Sequence, residues 1–162
     1  TIGSQIWMAE NLDYSDNIIT CSYPNNDSTT YGYNGLKYGA YYNKNEYDNL
    51  SSYIQANVPS WHLATVSDFQ VLDSLLGSSV GIDLCSTSGW SDTQGNDAYN
   101  FNLKPTGYIR NNILNEEHNS ALLRTPVGHC WIEPKFTKFR YWSNDYNTTY
   151  YKFPVRLVKD IT

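Results

Sequence analysis

Ile2-Gly3-Ser4-Gln5-Ile6-Trp7-Met8-Ala9-Glu10-Asn11-Leu12 opens the chain, and Val155-Arg156-Leu157-Val158-Lys159-Asp160 closes it. The opening stretch reads as a strand with Ile2, Ile6 and Met8 as apolar anchors. The closing stretch is the end of an extended run over residues 150–158. Between them lies a polar body rich in Tyr and Asn, with Trp61-His62-Leu63 near its middle.

Working inward, the strongest local signal follows Trp61-His62-Leu63. Thr65 is a good N-cap, and Asp68 stands three residues on, a shortened capping box. Phe69, Leu72 and Leu76 then fall at helical spacing, Val71 and Leu75 widen the apolar face, and Gly77 stops the helix. An earlier helix is expected over residues 46–55, with Tyr47, Leu50 and Ile54 on one face. Residues 36–42 alternate aromatic and small side chains and read as a strand. Residues 14–35 form a polar loop whose Tyr23-Pro24-Asn25-Asn26-Asp27-Ser28 is dense in turn chemistry. Residues 78–104 read as loop, with Phe101 and Leu103 in a short strand and Ile109 in a further extended run. The C-terminal part reads as β over residues 127–132, 136–142 and 150–158. In the second of these, Phe136, Phe139 and Tyr141 look inward across a bulge-like irregularity. Thr137, Lys138, Arg140 and Trp142 look outward. Helices early and short strands late make an α+β domain, a single unit spanning residues 1–162.

Composition bounds the function. The chain has 15 Tyr and 5 Trp, yet only 17% of its residues are charged. Its polarity comes from Asn, Ser and Thr, which suits a secreted or cell-surface protein. A net charge of −5 with 11 Lys and Arg argues against nucleic acid, whose phosphates require clustered cations. No apolar run approaches the roughly 18 residues of a membrane helix, so no membrane insertion by this segment is expected. The chain begins without Met and reads as the C-terminal domain of a longer surface protein. Cys21, Cys85 and Cys130 are an odd count with no metal-ligand spacing. A disulfide between two of them and three packed thiols are both open readings.

The opening motif, Cys21 with Tyr23-Pro24-Asn25, Tyr38-Gly39, Trp61-His62-Leu63 with Thr65, Ser86-Thr87-Ser88-Gly89-Trp90, residues 101–108 and the closing Val155-Arg156 and Val158-Lys159-Asp160 resemble, in order, the Fibrobacter succinogenes major paralogous domain family. These are bacterial surface and secreted domains common in Bacteroidota. The resemblance implies a C-type lectin-like fold, with two helices flanking small antiparallel sheets, a loop-rich half that presents a binding surface, and N- and C-terminal strands paired. Some members of that fold are targets of diversity-generating retroelements, and others are adhesin tips or lectin-like modules. The chain departs from the family at Leu157, where Cys is frequent, so a bridge from Cys21 to the closing strand cannot form. It departs also at Ala64, where Pro is usual, and at Cys85 and Cys130.

Catalytic constellations are not evident. Cys130 has no partner nearby in sequence, and His129 beside it points to the opposite face of a strand. His62 reads as a hydrogen-bonded structural residue and His118 as solvated, and the scattered histidines make no zinc site. Glu116-Glu117 reads as part of a solvated loop. No cofactor is called for. Calcium is the alternative, since lectin-like domains sometimes bind it through oxygen ligands. Its candidates are Asn25, Asn26 and Asp27, or Asp92, Asn96 and Asp97. Asn26-Asp27-Ser28, Asn49-Leu50-Ser51 and Asn147-Thr148-Thr149 match N-glycosylation acceptors, as expected by chance from the Asn content.

One cluster points to binding. Lys135, Thr137, Lys138, Arg140, Trp142, Asn144, Tyr146, Tyr150 and Tyr151 bring together the residue types that dominate recognition hot spots. Aromatic faces with interspersed Asn and Thr suit a protein or a glycan. The expectation is a non-catalytic recognition or adhesion domain that engages such a ligand on another cell or host surface. The alternative is a structural module of a cell-envelope or pilus assembly. A glycan-cleaving enzyme would need two carboxylates facing each other about 5–10 Å apart.

Overall fold

The ends of the chain are zipped together. Strand β1 (Gln5–Trp7) runs antiparallel to the last strand, β10 (Leu157–Asp160), with Ile6 opposite Lys159 and Trp7 opposite Val158. The pairing continues inward through Met8 N–H to Leu157 O at 3.1 Å and Leu12 N–H to Val155 O at 2.9 Å. In the computed structural model, which describes residues 1–24, 37–143 and 149–161, the architecture is mixed α+β, with two long helices, a shorter third and three small antiparallel sheets among the described residues.

Helix α1 (Lys44–Asn57) is capped by Asn43, whose side chain accepts from Glu46 N–H while Glu46 reaches back to Asn43 N–H. It buries Tyr47, Leu50 and Ile54, the face its periodicity predicts. Helix α2 (Val66–Leu76) starts at the Thr65–Asp68 capping box and ends at Gly77, whose φ of 56° is one that glycine adopts without steric cost. Its buried face is narrower than expected. Phe69 and Leu72 are fully covered, but Val71 and Leu75 are exposed and line a surface hollow with Ser67, Gln70 and Ser74. A third, single-turn helix α3 (Val80–Leu84) interrupts the stretch read as loop.

Asp68 does more than cap. Its carboxylate accepts from Thr65 N–H at 2.8 Å, Thr65 Oγ1 at 2.6 Å and Gln5 Nε2 at 3.1 Å, and His62 Nε2 lies at 3.1 Å. Trp7 Nε1 donates to Gln5 Oε1 at 3.0 Å. The opening motif and the helix-start motif are therefore one buried network. This corrects part of the reading of Ile2, Ile6 and Met8 as apolar anchors: Ile2 is buried in the core, but Gln5 and Trp7 also point inward, while Ile6 and Met8 are half-buried.

The first sheet places β10 between β1 and β3 (His62–Leu63) and separates two apolar cores. Val158 and Trp7 join the larger core with Phe69, Leu72, Phe101 and Phe139. Leu157 and Val155 join the second with Tyr42, Tyr47 and Leu50. In the second sheet β9 (Tyr151–Pro154) lies between β2 (Tyr41–Tyr42) and β4 (Tyr108–Arg110), and β5 (Ile113–Asn115) forms the edge. The third sheet orders β6 (Ala121–Thr125), β7 (Gly128–Ile132) and β8 (Arg140–Trp142).

Several expected strands are redrawn. Among the described part of residues 36–42, only Tyr41–Tyr42 is strand. Of residues 136–142, only Arg140–Trp142 pairs. The run 150–158 is two strands in different sheets, parted at Val155-Arg156. At that joint Arg156 is fully buried. Its guanidinium donates from Nε and Nη2 to Asn11 Oδ1 at 3.0 and 2.7 Å and from Nη1 to Phe101 O, and it sits 4.3 Å over the Phe101 ring.

Candidate functional site

Strands β6, β7 and β8 present a regular grid. Leu122, Trp131 and Arg140 are cross-strand partners in one row, and Arg124, His129 and Trp142 in the next. The alternate residues, Leu123, Cys130 and Tyr141, face the larger core. Adjacent His129 and Cys130 therefore diverge, as their strand spacing requires. The four outward assignments made from sequence also hold: Thr137, Lys138, Arg140 and Trp142 are all exposed, and Phe139 is buried.

The second sheet contributes a facing wall. Tyr108 and Arg110 on β4 lie beside Phe153 and Tyr151 on β9, on the face opposite to buried Ile109. Tyr108 stacks on Tyr151 at 5.9 Å, and the Arg110 guanidinium lies 5.2 Å over the Tyr151 ring. The two walls meet at Phe153. His129 stacks on that ring at 4.5 Å, and Arg124 lies 5.0 Å over it. Arg124 also donates from Nε to Tyr42 O at 3.1 Å and from Nη2 to Tyr151 O at 3.0 Å, binding β6 to the second sheet.

Between the walls is a cleft of about 490 Å³, within the usual size range of small-ligand sites. Trp131, Trp142, Tyr108 and Tyr151 supply its aromatic surface. Trp142 keeps 44% of its surface exposed, a large apolar area left open to solvent. Glu116, Ser120 and Glu133 gather at one end, where Ser120 Oγ donates to Glu133 Oε1 at 3.1 Å. Glu133 also pairs with Lys135 at 3.0 Å. Arg110 supplies the cation at the other end of β4.

Burial tunes the cleft floor. It pushes Arg124 down to about 10, leaving it charged at neutral pH. Burial, with Arg124 beside it, depresses His129 to about 4, so that ring is neutral. The floor thus carries one fixed positive charge and one uncharged imidazole.

Trp142 and Tyr151, both expected from sequence, line this cleft. Arg140 stands beside it, its guanidinium 3.9 Å over the Phe136 ring and 5.9 Å from Trp131. Lys135 lines a neighbouring depression of about 250 Å³. Thr137 and Lys138 are exposed ahead of β8, and Tyr150 is exposed in the turn before β9. Asn144 and Tyr146 lie outside the described residues, as do Asn25, Asn26 and Asp27. Tyr108, Arg110, Glu116, His129, Trp131 and Glu133 were not expected at a site. The period-two run His129, Trp131, Glu133 carried the signal for one wall.

Other expectations need correction. His118 is not solvated: it is half-buried, with Nδ1 2.9 Å from Gly89 O. The oxygens proposed for calcium at residues 92–97 serve the loop itself. Asp97 Oδ1 accepts from Asn102 N–H at 2.6 Å, and Asn96 Oδ1 accepts from Ala98 N–H at 3.0 Å. Asp92 turns toward Lys135, 3.9 Å away. Among the described residues, no cluster of three or more His, Cys, Asp or Glu side chains could hold a metal ion. Cys21, Cys85 and Cys130 are all free thiols, the latter two buried and pushed up by burial. Among the described residues no helix is long and apolar enough to cross a membrane.

No family model, curated protein or solved structure matches the chain.

Proposed function

We propose that this chain is a non-catalytic recognition domain of the C-type lectin-like kind. It would be secreted or displayed at a cell surface, and would bind a protein or glycan ligand on another cell or host surface. The observation that carries this reading is the cleft between the second and third sheets. Its aromatic walls are held open on a floor locked by Arg124, His129 and Phe153. Rigid aromatics with few rotors lose little entropy when a ligand covers them.

The lectin-like assignment draws support from the paired terminal strands, from two helices beside small antiparallel sheets, and from the family resemblance of the sequence. The non-catalytic reading draws support from the buried state of the thiols in the larger core and the pairing of the cleft carboxylate Glu133. Cys85 and Cys130 are sealed thiols, and a buried thiol in apolar surroundings is inert. Glu133 receives hydrogen bonds from Ser120 and Lys135, the role of an acceptor.

The test is alanine substitution in the cleft, read against a panel of glycans and host-cell surfaces. Trp131→Ala and Trp142→Ala should each weaken binding about 30-fold, a hot-spot loss of about 2 kcal/mol. Arg140→Ala should cost less, because its guanidinium is already engaged by Phe136. Unchanged melting temperatures would show that the fold is intact. Undiminished binding by both Trp variants would place the site elsewhere.

A further inference from the structure

Resting on the reading of the cleft as a binding site, we infer that its ligand is a linear oligosaccharide. The chain would run from the Trp142 end past Glu133 into the adjoining depression. The strands of the cleft withhold main-chain partners from a ligand. Strands β4, β7 and β9 each have a hydrogen-bonded neighbour on both sides, so their main-chain groups are spent in the sheets. A peptide laid along these three strands could not join them as a further strand. Each of its buried amides left unpaired would cost about 1–3 kcal/mol. A sugar brings no amide backbone to satisfy. Its hydroxyls both donate and accept, and its ring face is apolar.

The side chains of the cleft offer what a sugar ring needs. Trp131 and Trp142 present flat apolar surface, while Glu116 and Glu133 present acceptors and Arg110 a donor. That mixture matches a ring with one apolar face and a polar rim.

The cleft is also long. From His129, opposite Trp142, to Glu133 is a path along β7 of about 13 Å at strand rise. Glu133 lines both the cleft and the smaller depression, whose rim adds Asp92, Asn119 and Lys135. The two hollows therefore share one carboxylate, and polar groups lie on both sides of it.

The experiment uses a glycan microarray with linear chains of graded length and a tiled-peptide array in parallel. Wild-type protein should be retained on linear oligosaccharides, with apparent affinity rising as chains lengthen. Trp131→Ala should weaken retention about 30-fold at every length. Asp92→Ala, at an exposed side chain, should remove about a tenfold gain for the longer chains and spare the shorter ones. Retention that ignores length or Asp92→Ala overturns the extended path. Retention on peptides alone, lost in Trp131→Ala, overturns the glycan assignment but leaves the cleft as the site. Glycan retention indifferent to Trp131→Ala overturns the cleft reading itself.

Discussion

His129 illustrates how one residue ties cleft chemistry to stability. Stacked on Phe153 and next to Arg124, it is held neutral, with its proton affinity lowered to about 4. In the unfolded chain the ring titrates near the ordinary value of about 6.5. Below that pH the unfolded state takes up a proton that the folded state refuses. Stability should therefore fall as pH drops from about 6.5 to about 4, by on the order of 2–3 kcal/mol, and this contribution levels off below. Urea midpoints measured across that window should show the slope, and His129→Gln should flatten it. An equally steep slope in the variant would assign it to other groups. Sequence alone showed that His129 and Cys130 diverge. It could not show which of the two lines the cleft, because both are buried. His118 was misread for a related reason: its carbonyl partner, Gly89, lies 29 positions away.

At the scale of elements, the position of β8 is set from behind by α2. Asp73 accepts from Phe139 N–H at 2.8 Å and from the Tyr141 hydroxyl at 2.9 Å. Those bonds pin the inward side of the strand, so Arg140 and Trp142 must project outward. Asp73→Ala should destabilise the protein by about 1–3 kcal/mol through the unpaired Phe139 amide. It should also weaken ligand binding several-fold, although Asp73 does not line the cleft. Hydrogen exchange at residues 139–142 should rise in step, and unchanged exchange there would show that β8 holds its place without α2. Helix α2 was legible because periodicity and caps agree, and α1 from the periodicity of Tyr47, Leu50 and Ile54, its Asn43 cap going unread. Strand β6 was not, since Ala121-Leu122-Leu123-Arg124-Thr125 is buried throughout and shows no alternation. The β4–β5 hairpin was missed too. Its turn is Asn111-Asn112, both at positive φ, and Asn is the residue that tolerates that region when glycine is absent.

For the whole molecule, the guanidinium of Arg156 is the junction of three distant segments. It meets Asn11 from the opening strand and Phe101 from the middle of the chain, and Asn11 Nδ2 in turn donates to Tyr38 O at 3.0 Å. Burial lowers its proton affinity to about 9, so it remains a cation whose hydrogen bonds go to neutral oxygens. Asn11→Ala should cost about 3 kcal/mol, because it strands that buried charge. Denaturant unfolding measures this directly, and a loss under 1 kcal/mol would mean that Phe101 suffices. The pairing of the two ends was legible in the motifs that carry the family resemblance. The cleft was not, because it exists only where separate sheets meet and its floor joins Phe153 to residues 24 and 29 positions earlier. The terminal pairing also has a mechanical consequence. A tug applied between the two chain ends meets the β1–β10 ladder at its outermost rungs, Ile161 with Ser4 and then Gln5 with Asp160. The rungs would yield singly, as in peeling tape, so tension drawn through both ends unravels the frame far more readily than a pull that enters at the cleft and leaves through one end.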